Sequence, residues 1–195
     1  KESDMKRKVI AALVGAIVGY LPAVAPAQQK ISDGVVKIGV LTDLSGLYSD
    51  LAGAGSVLAT RMAVEDFQKR EKNPFKIEIV SADHQNKGDL ASNKAREWFE
   101  RDNVDMIGDL VTTSTALAVM PIAKEKNRIT IVSGAASTPI TGKNCTDLNV
   151  HYVYDTYALA VGTGRAVVKQ GGDSWFFLTA DYAFGHALER DTAEV

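Results

Sequence analysis

Residues 35–67 constrain the fold more than any other part of the sequence. They open with a short apolar run rich in β-branched residues, 35–41, which is typical of a strand buried on both faces. A polar turn follows, and then one stripe of apolar and small residues recurs with helical spacing: Val57, Thr60, Ala63, Val64 and Phe67. Strand, loop and helix in this order form the first half of a βαβ unit, so the sequence predicts an α/β domain with a parallel sheet.

The same patterns predict the remaining elements. Further strands are expected at 75–80 (a half-exposed or edge strand), 104–108, 129–133, weakly at 149–154, and as a buried strand at 175–178. A helix is expected from Asp89, with Asp89 as its N-cap, and its core-facing residues are Ala91, Ala95, Trp98 and Phe99. Further helices are expected at 116–126, with a kink or a late start at Pro121, at 155–169, and from near Phe184.

Two loops rich in hydroxyl groups follow neighbouring predicted strands. The first holds four consecutive hydroxyl residues, Thr112, Thr113, Ser114 and Thr115, at the expected N-terminus of a helix. Free backbone N–H groups there carry partial positive charge and attract anions. The second loop, 134–139, contains Ser137 and should reach the same edge of the sheet. The sequence therefore predicts a binding crevice, although one hydroxyl could instead be an ordinary helix cap and the others solvated.

Motifs for catalysis or cofactor binding are weak. Residues 53–59 contain two glycines but lie too far beyond the strand for a dinucleotide-binding turn, and the sequence contains no P-loop and no G-x-S-x-G. The three histidines are interpreted as surface or loop residues, without metal-ligand spacing: His84, His151 and His186. Four aspartates that follow predicted strands are expected to cap loops or helices more often than to catalyse: Asp43, Asp83, Asp109 and Asp181. We therefore expect no metal, no cofactor and binding rather than catalysis.

The overall composition is consistent with these predictions but adds no detail to them. The formal net charge of −2 gives no reason to expect a nucleic-acid partner, and 46% hydrophobic residues are ordinary for a globular protein. Cys145 is the only cysteine, so no disulfide can form within the sequence given.

Several stretches together resemble one family, the branched-chain amino acid-type substrate-binding proteins of ABC importers. The resemblance covers nearly all of residues 35–195 and rests on residues 35–67, SADHQNKGDLASNKA (81–95), GDLVTTSTALAV (108–119), VSGAASTPITG (132–142) and WFFLTADYAFGHALERDT (175–192). It implies a type I periplasmic-binding-protein fold with two Rossmann-like parallel-sheet lobes. The first lobe would be 28–150, and 151–195 would be the start of a truncated second lobe, so that roughly half of the protein is missing.

The resemblance also implies roles for individual residues. Thr112 matches the family's first carboxylate-binding hydroxyl, with Thr113 and Ser114 nearby, while Ala136 would offer a carbonyl and Ser137 a hydroxyl and an N–H. Tyr48 would wall the pocket, with Tyr182 close by. Phe184 stands where some members place a ligand-contacting tyrosine, which favours an apolar wall at that position.

The function implied is that of a periplasmic solute receptor. It would bind an amino acid or a related aliphatic or aromatic carboxylate between its lobes and deliver it to an inner-membrane ABC permease, without enzymatic activity. The alternative is an exported ligand-sensing ectodomain or an enzyme on the same fold.

Residues 1–27 read as an N-terminal extension and a secretory signal peptide. A basic segment, Met5–Lys8 in the order Met-Lys-Arg-Lys, precedes an apolar run, 9–21, and the small-residue sequence Ala25-Pro26-Ala27. The apolar run is shorter than the roughly 20 residues that a membrane-spanning helix needs.

We expect cleavage after Ala27, so that the mature periplasmic chain begins at Gln28, because Pro26 would be a poor first residue. N-terminal sequencing of periplasmic material tests this. Purified protein that retains 9–21 would show that the segment is an anchor.

Overall fold

The computed structural model describes residues 34–71 and 75–195, and these described residues lie in one compact unit. Strands and helices alternate as predicted for an α/β protein, except that the last two helices follow one another without a strand between them. The strands are β1 Val35–Thr42, β2 Lys76–Asp83, β3 Met106–Asp109, β4 Ile129–Val132 and β5 Asn149–His151. The helices are α1 Gly53–Arg70, α2 Gly88–Glu100, α3 Thr113–Glu125, α4 Thr156–Lys169 and α5 Ala183–Ala193, with a 3₁₀ helix at Thr138–Ile140.

The five strands form one parallel sheet in the order β2-β1-β3-β4-β5. In the register, Ile38 of β1 lies opposite Ile79 of β2 and Met106 of β3. β2 is an edge strand of this sheet, which confirms the prediction from its alternating sequence. Because all strands run in one direction, the loops that follow them collect at a single edge.

Helices α2 and α3 contribute most of the hydrophobic core. The predicted core stripe of α2 is confirmed, since Ala91, Ala95, Trp98 and Phe99 are all buried. Trp98 packs directly on β1 at Gly39, where an added Cβ would lie 2.6 Å from the indole ring. A side chain at position 39 would therefore displace the tryptophan from the core.

One predicted helix detail is wrong, and one of the two alternatives given for another is excluded. Helix α2 begins at Gly88 with Lys87 in the N-cap position, and Asp89 lies in the first turn, where its charge suits the helix dipole. Helix α3 runs from Thr113 through Pro121 to Glu125, so no late start occurs. Buried side chains on both sides of the proline, at Met120 and Ile122, anchor the helix and offset the lost backbone hydrogen bond.

The predicted buried strand at 175–178 is also wrong. These residues form neither a strand nor a helix, and the side chains of Phe176 and Leu178 are 91% and 96% exposed. A buried strand needs neighbouring strands to accept its hydrogen bonds and to cover its faces. The described part of the chain provides no such neighbours there, so the apolar sequence remains in an extended, uncovered segment.

The N-terminal predictions concern residues outside those that the structure describes. These are the signal peptide, 1–27, and its cleavage site. Within the ranges that are described, no helix is both long and apolar enough to cross a membrane.

A buried carboxylate fixes helix α5 to the rest of the fold. Asp191 is only 5% exposed and accepts hydrogen bonds from the hydroxyls of Thr138 (2.8 Å) and Thr156. Arg190 donates to its other oxygen through Nη2 at 2.7 Å. Burial opposes ionisation of Asp191, but these hydrogen bonds and the positive charge of Arg190 outweigh it and lower the pKa of the carboxyl.

We expect Asp191→Asn to lower the free energy of unfolding by about 1.5–3 kcal/mol at neutral pH, because hydrogen bonds to an ionised group are lost. Since the pKa of Asp191 is lower in the folded state, its stabilisation is complete above the unfolded pKa of about 3.9 and is lost as the pH falls through the folded value. Urea unfolding of both proteins between pH 7 and pH 3 should show the gap closing below about pH 4. The exposed Asp173→Asn serves as the control, and a gap as wide at pH 3 as at pH 7 would contradict this account.

Candidate functional site

A cleft of about 200 Å³ opens at the carboxyl edge of the sheet. Five segments supply its walls: the loop after β1, the loop into α3, the loop after β4, the loop after β5, and the start of α5. The lining residues are Tyr48, Leu51, Val111, Thr112, Thr113, Gly134, Ala135, Ala136, Tyr154, Tyr182 and Phe184. One side of the cleft is therefore made of hydroxyls and small residues, and the other of aromatic rings.

The loop after β1 is held in place by a buried carboxylate. Asp43 accepts hydrogen bonds from the backbone N–H groups of Gly46 (2.7 Å) and Tyr48 (2.9 Å). Asp83 at the end of β2 accepts another from the N–H of Leu44 at 2.9 Å. These bonds bear out the expectation that the two carboxylates cap loops. They also fix the backbone from which the Tyr48 side chain enters the cleft.

The hydroxyl of Thr112 is engaged within its own helix turn. Thr112 occupies the N-cap position of α3, and its Oγ1 lies 3.0 Å from Thr115 Oγ1. Thr115 in turn donates its hydroxyl to the carbonyl of Thr112 at 2.9 Å. Because Thr115 uses its proton in that bond, Thr112 is the donor in the contact between the two hydroxyls. Thr112 lines the cleft but has little donor capacity left for a ligand.

Two neighbouring hydroxyls are buried and unused. Thr113 Oγ1 and Ser137 Oγ have no hydrogen-bond partner within the described ranges, although Thr113 is 1% and Ser137 0% exposed. Thr113 is the first residue of α3, at the positive end of the helix dipole. Ser137 directly follows the cleft-lining Ala136. Leaving a buried hydroxyl unpaired is costly. Thr113 therefore marks the polar side of the cleft as incomplete, and Ser137 lies next to that side without lining it.

Three aromatic side chains form the opposite wall. The hydroxyls of Tyr48 and Tyr182 lie 2.6 Å apart, and the Phe184 ring packs 6.0 Å from that of Tyr182. Burial and the hydrogen bond with Tyr48 raise the pKa of Tyr182, so its phenol is neutral at physiological pH. Phe184 contributes an apolar ring to this wall.

The structure brings together most, but not all, of the residues singled out in the sequence. Those that line the cleft are Tyr48, Thr112, Thr113, Ala136, Tyr182 and Phe184. Ser114 and Ser137 are not among the lining residues, and the backbone carbonyl of Ser114 faces Gly88 instead. Sequence reasoning missed Tyr154, whose signal was its position just after β5 among clustered tyrosines. It also missed Leu51, Val111, Gly134 and Ala135, which only the folded loops identify.

His186 is exposed and His84 lies in a loop, as expected of surface or loop residues, whereas His151 lies on a strand. His84 lies in the loop after β2 but is fully buried, and its Nδ1 accepts from the N–H of Asn86 at 3.0 Å. Burial lowers its pKa, although the nearby Asp43, Asp109 and Asp83 oppose the shift. His151 on β5 places Nε2 2.7 Å from the carbonyl of Ala135 and so supports the loop after β4.

The acidic residues at this edge do not assemble into a metal site. No group of three or more histidine, cysteine or acidic side chains in the described part of the chain is arranged to hold a metal ion. Asp43 and Asp83 bind loop backbone, and Asp181 is solvent-exposed beside His186. This arrangement of side chains suits a small ligand with an uncharged body and one anionic group better than it suits a cation.

Comparisons with known proteins give a consistent result. A family profile described as "Periplasmic binding protein" matches residues 35–195. The structure is similar to a periplasmic binding protein from Burkholderia mallei (52% identity, TM-score 0.79, 83% of this chain and 43% of that one). It is also similar to a branched-chain amino acid ABC transporter periplasmic ligand-binding protein from Burkholderia xenovorans LB400 (36% identity, TM-score 0.69, 82% of this chain and 42% of that one).

A third similar structure is the solute-binding protein of an ABC transporter from Rhodopseudomonas palustris BisB5, in complex with 3,4-dihydroxybenzoic acid. Its identity to this chain is 23% and its TM-score 0.69, and the match covers 83% of this chain and 43% of that one. At this identity the likeness shows the fold alone. Among curated proteins, none matches the chain. The chain thus spans less than half the length of the solved structures that it matches.

We expect Tyr48→Phe to lower the free energy of unfolding by about 1 kcal/mol, because the Tyr182 hydroxyl loses its partner in a half-buried setting. The double variant with Tyr182→Phe should lose less than the sum of the two single losses, since both changes remove one shared bond. Tyr152→Phe is the matched control, because that side chain is 81% exposed. Strictly additive losses in chemical unfolding would show that the hydroxyl contact contributes nothing.

Proposed function

Since the chain belongs to the periplasmic binding protein family, we propose that the full-length protein is the solute receptor of an ABC importer, not an enzyme. Its fold is the type I periplasmic-binding-protein fold of its structural relatives, which are solute-binding proteins. The named relative at 36% identity belongs to a branched-chain amino acid transporter. The receptor would bind an amino acid or a related carboxylate and pass it to a membrane permease.

The pair of buried, unpartnered hydroxyls carries this proposal. Thr113 Oγ1 and Ser137 Oγ lie on two different loops at the same sheet edge, and each has a proton to donate. The first turn of α3 adds free backbone N–H groups, and no side chain caps it. A carboxylate can accept from both hydroxyls and from the helix N-terminus, which would satisfy all three at once.

The opposite wall supports an apolar or aromatic ligand body. Tyr48, Tyr182 and Phe184 offer ring faces, and Leu51 and Val111 add aliphatic surface. A branched aliphatic side chain or a benzene ring can contact such a wall without losing hydrogen bonds to water. Both amino acids and aromatic acids therefore remain within the proposed ligand class.

The two-lobe organisation stays a proposal. In it, 28–150 form the first lobe and 151–195 the start of the second, with β5 at the crossing. The Tyr48–Tyr182 contact would then join the lobes across the cleft, as hinge closure around a ligand requires. Residues 1–27 would direct export to the periplasm, where the loaded receptor would meet its permease.

A ligand screen tests the proposal. We expect L-leucine, L-phenylalanine or benzoate to raise the melting temperature of the full-length protein, because a ligand that binds only the native state stabilises it by about 2.7 kcal/mol at 100 times Kd. L-leucinol, L-phenylalaninol and benzyl alcohol, which lack the carboxylate, should give no shift. If the alcohols bind as well as the acids, or if none of these compounds binds, the proposed carboxylate receptor is wrong.

We expect Thr113→Val and Ser137→Ala each to weaken binding of the carboxylate that responds in that screen by roughly ten- to 150-fold. Each change removes a hydrogen bond to a charged group, worth about 1.5–3 kcal/mol. The ligand-free proteins should melt no lower than the wild type, because each change also removes an unsatisfied buried hydroxyl.

Two controls separate ligand binding from structural roles. Thr112→Val should behave in the opposite way: it should lose about 1 kcal/mol of stability with the hydroxyl contact to Thr115 and lose little affinity. Thr141→Val changes an exposed threonine and should lower neither the stability nor the affinity. Titration calorimetry and melting curves on all four variants measure both quantities. Unchanged affinity in Thr113→Val and Ser137→Ala would remove these hydroxyls from the site.

A further inference from the structure

The two loops that carry the unpaired hydroxyls are joined at their bases. Asp109 is the last residue of β3, and Ser133 is the first residue beyond β4. Ser133 donates its backbone N–H to the carbonyl of Asp109 at 2.9 Å and its hydroxyl to Asp109 Oδ1 at 3.1 Å. The first bond continues the sheet ladder, whereas the second depends on these two side chains.

The backbone at this junction is unusual. Asp109 has φ of 77° and Leu110 φ of 51°, which places two consecutive non-glycine residues in the left-handed region. Such conformations are costly, and they persist only where the surroundings fix them. Here they turn the chain out of β3 and into Thr112 and Thr113. The N–H of Leu110 still reaches the carbonyl of Leu41 on β1 at 3.2 Å, so the turn is held from both neighbouring strands.

The loops also touch directly beyond the junction. A Cβ added at Gly134 would lie 2.8 Å from Val111 Cα and 3.1 Å from the Val111 carbonyl oxygen. Only glycine therefore permits this backbone approach. The segments 110–113 and 134–137 are thus held together by the backbone bond of the sheet ladder, by one side-chain hydrogen bond and by one glycine contact.

The Asp109 carboxylate holds the two loops through one oxygen. Oδ1 accepts from Ser133, whereas Oδ2 is buried and has no hydrogen-bond partner among the residues described. Asp43 and Asp191, in contrast, accept hydrogen bonds at both oxygens. The contribution of the Asp109 side chain to holding the loops is therefore the single bond to Ser133.

We propose that Asp109 is a positioning residue that, through Ser133, sets the separation of Thr113 and Ser137 and so the affinity for a carboxylate. This rests on the proposed function only in assigning the ligand. The bracing of the two loops can be measured without any ligand. We call the Asp109–Ser133 hydrogen bond the loop brace.

Three variants isolate the loop brace from backbone strain. Asp109→Gly and Asp109→Asn both tolerate the left-handed conformation, but only asparagine keeps an oxygen that can accept from Ser133. Ser133→Ala removes the donor without changing the backbone. In the ligand-free full-length protein, we expect Asp109→Gly and Ser133→Ala to speed amide hydrogen exchange roughly three- to tenfold in 110–116 and 134–138. The exchange rates of Asp109→Asn should stay within about twofold of those of the wild type.

Affinity should follow the same order. Titration with L-leucine and with benzoate should show Asp109→Gly and Ser133→Ala weakening whichever of the two binds by roughly three- to tenfold. The double variant should be little worse than either single one, because both remove the same bond. Asp173→Gly, at an exposed position outside any helix or strand, controls for added glycine flexibility. Exchange in α2 should not change in any variant.

Two results would overturn the proposal. One is an unchanged rate of amide exchange in 134–138 for Ser133→Ala. The other is an increase in amide exchange for Asp109→Asn that equals the increase for Asp109→Gly. If neither L-leucine nor benzoate binds the wild type, the proposed ligand class is at fault, and the exchange measurements alone decide whether the loop brace exists.

Discussion

An all-parallel sheet brings the ends of its strands to one edge, and the site depends on that geometry. Neighbouring strands β3 and β4 stop together in register, with Asp109 opposite Val132. The segments that leave them must therefore begin side by side. The chain uses this proximity to bring hydroxyls from positions far apart in sequence into one small volume. An antiparallel arrangement of the same strands would send these two loops to opposite ends of the sheet.

Polar groups at this edge fall into two classes with different physical consequences. Asp43, Asp83 and Asp191 are saturated with donors, and their charge holds loops and helices in fixed positions. Thr113 Oγ1 and Ser137 Oγ are buried and have no hydrogen-bond partner among the residues that the structure describes. A fold can retain such unsatisfied groups when the saturated ones around them supply the stability. This contrast in hydrogen bonding, rather than any single residue type, distinguishes scaffold from site.

Sequence patterns predicted what local periodicity controls and missed what distant contacts decide. The α/β order, the edge strand β2 and the buried stripe of α2 follow from apolar spacing, and the structure confirms them. The apolar residues 175–178 were predicted as a buried strand because their composition suits one, yet burial needs neighbours that composition cannot supply. Similarly, no local pattern could show that Thr112 turns to Thr115 while Thr113 stays free, or that His84 is enclosed. Those outcomes depend on packing between segments that are distant in sequence.

The pattern of strand pairing also affects the rate at which the chain folds. Val35 pairs with Lys76 and Ile38 with Met106, and every ladder in the described sheet joins strands separated by a helix or a long loop. None is a local hairpin, so each pairing must first close a long loop at an entropic cost, and such topologies fold slowly. For a chain that crosses a membrane before it folds, as an exported receptor would, slow folding is an advantage. The topology that assembles the cleft would then also keep the chain unfolded long enough to be exported.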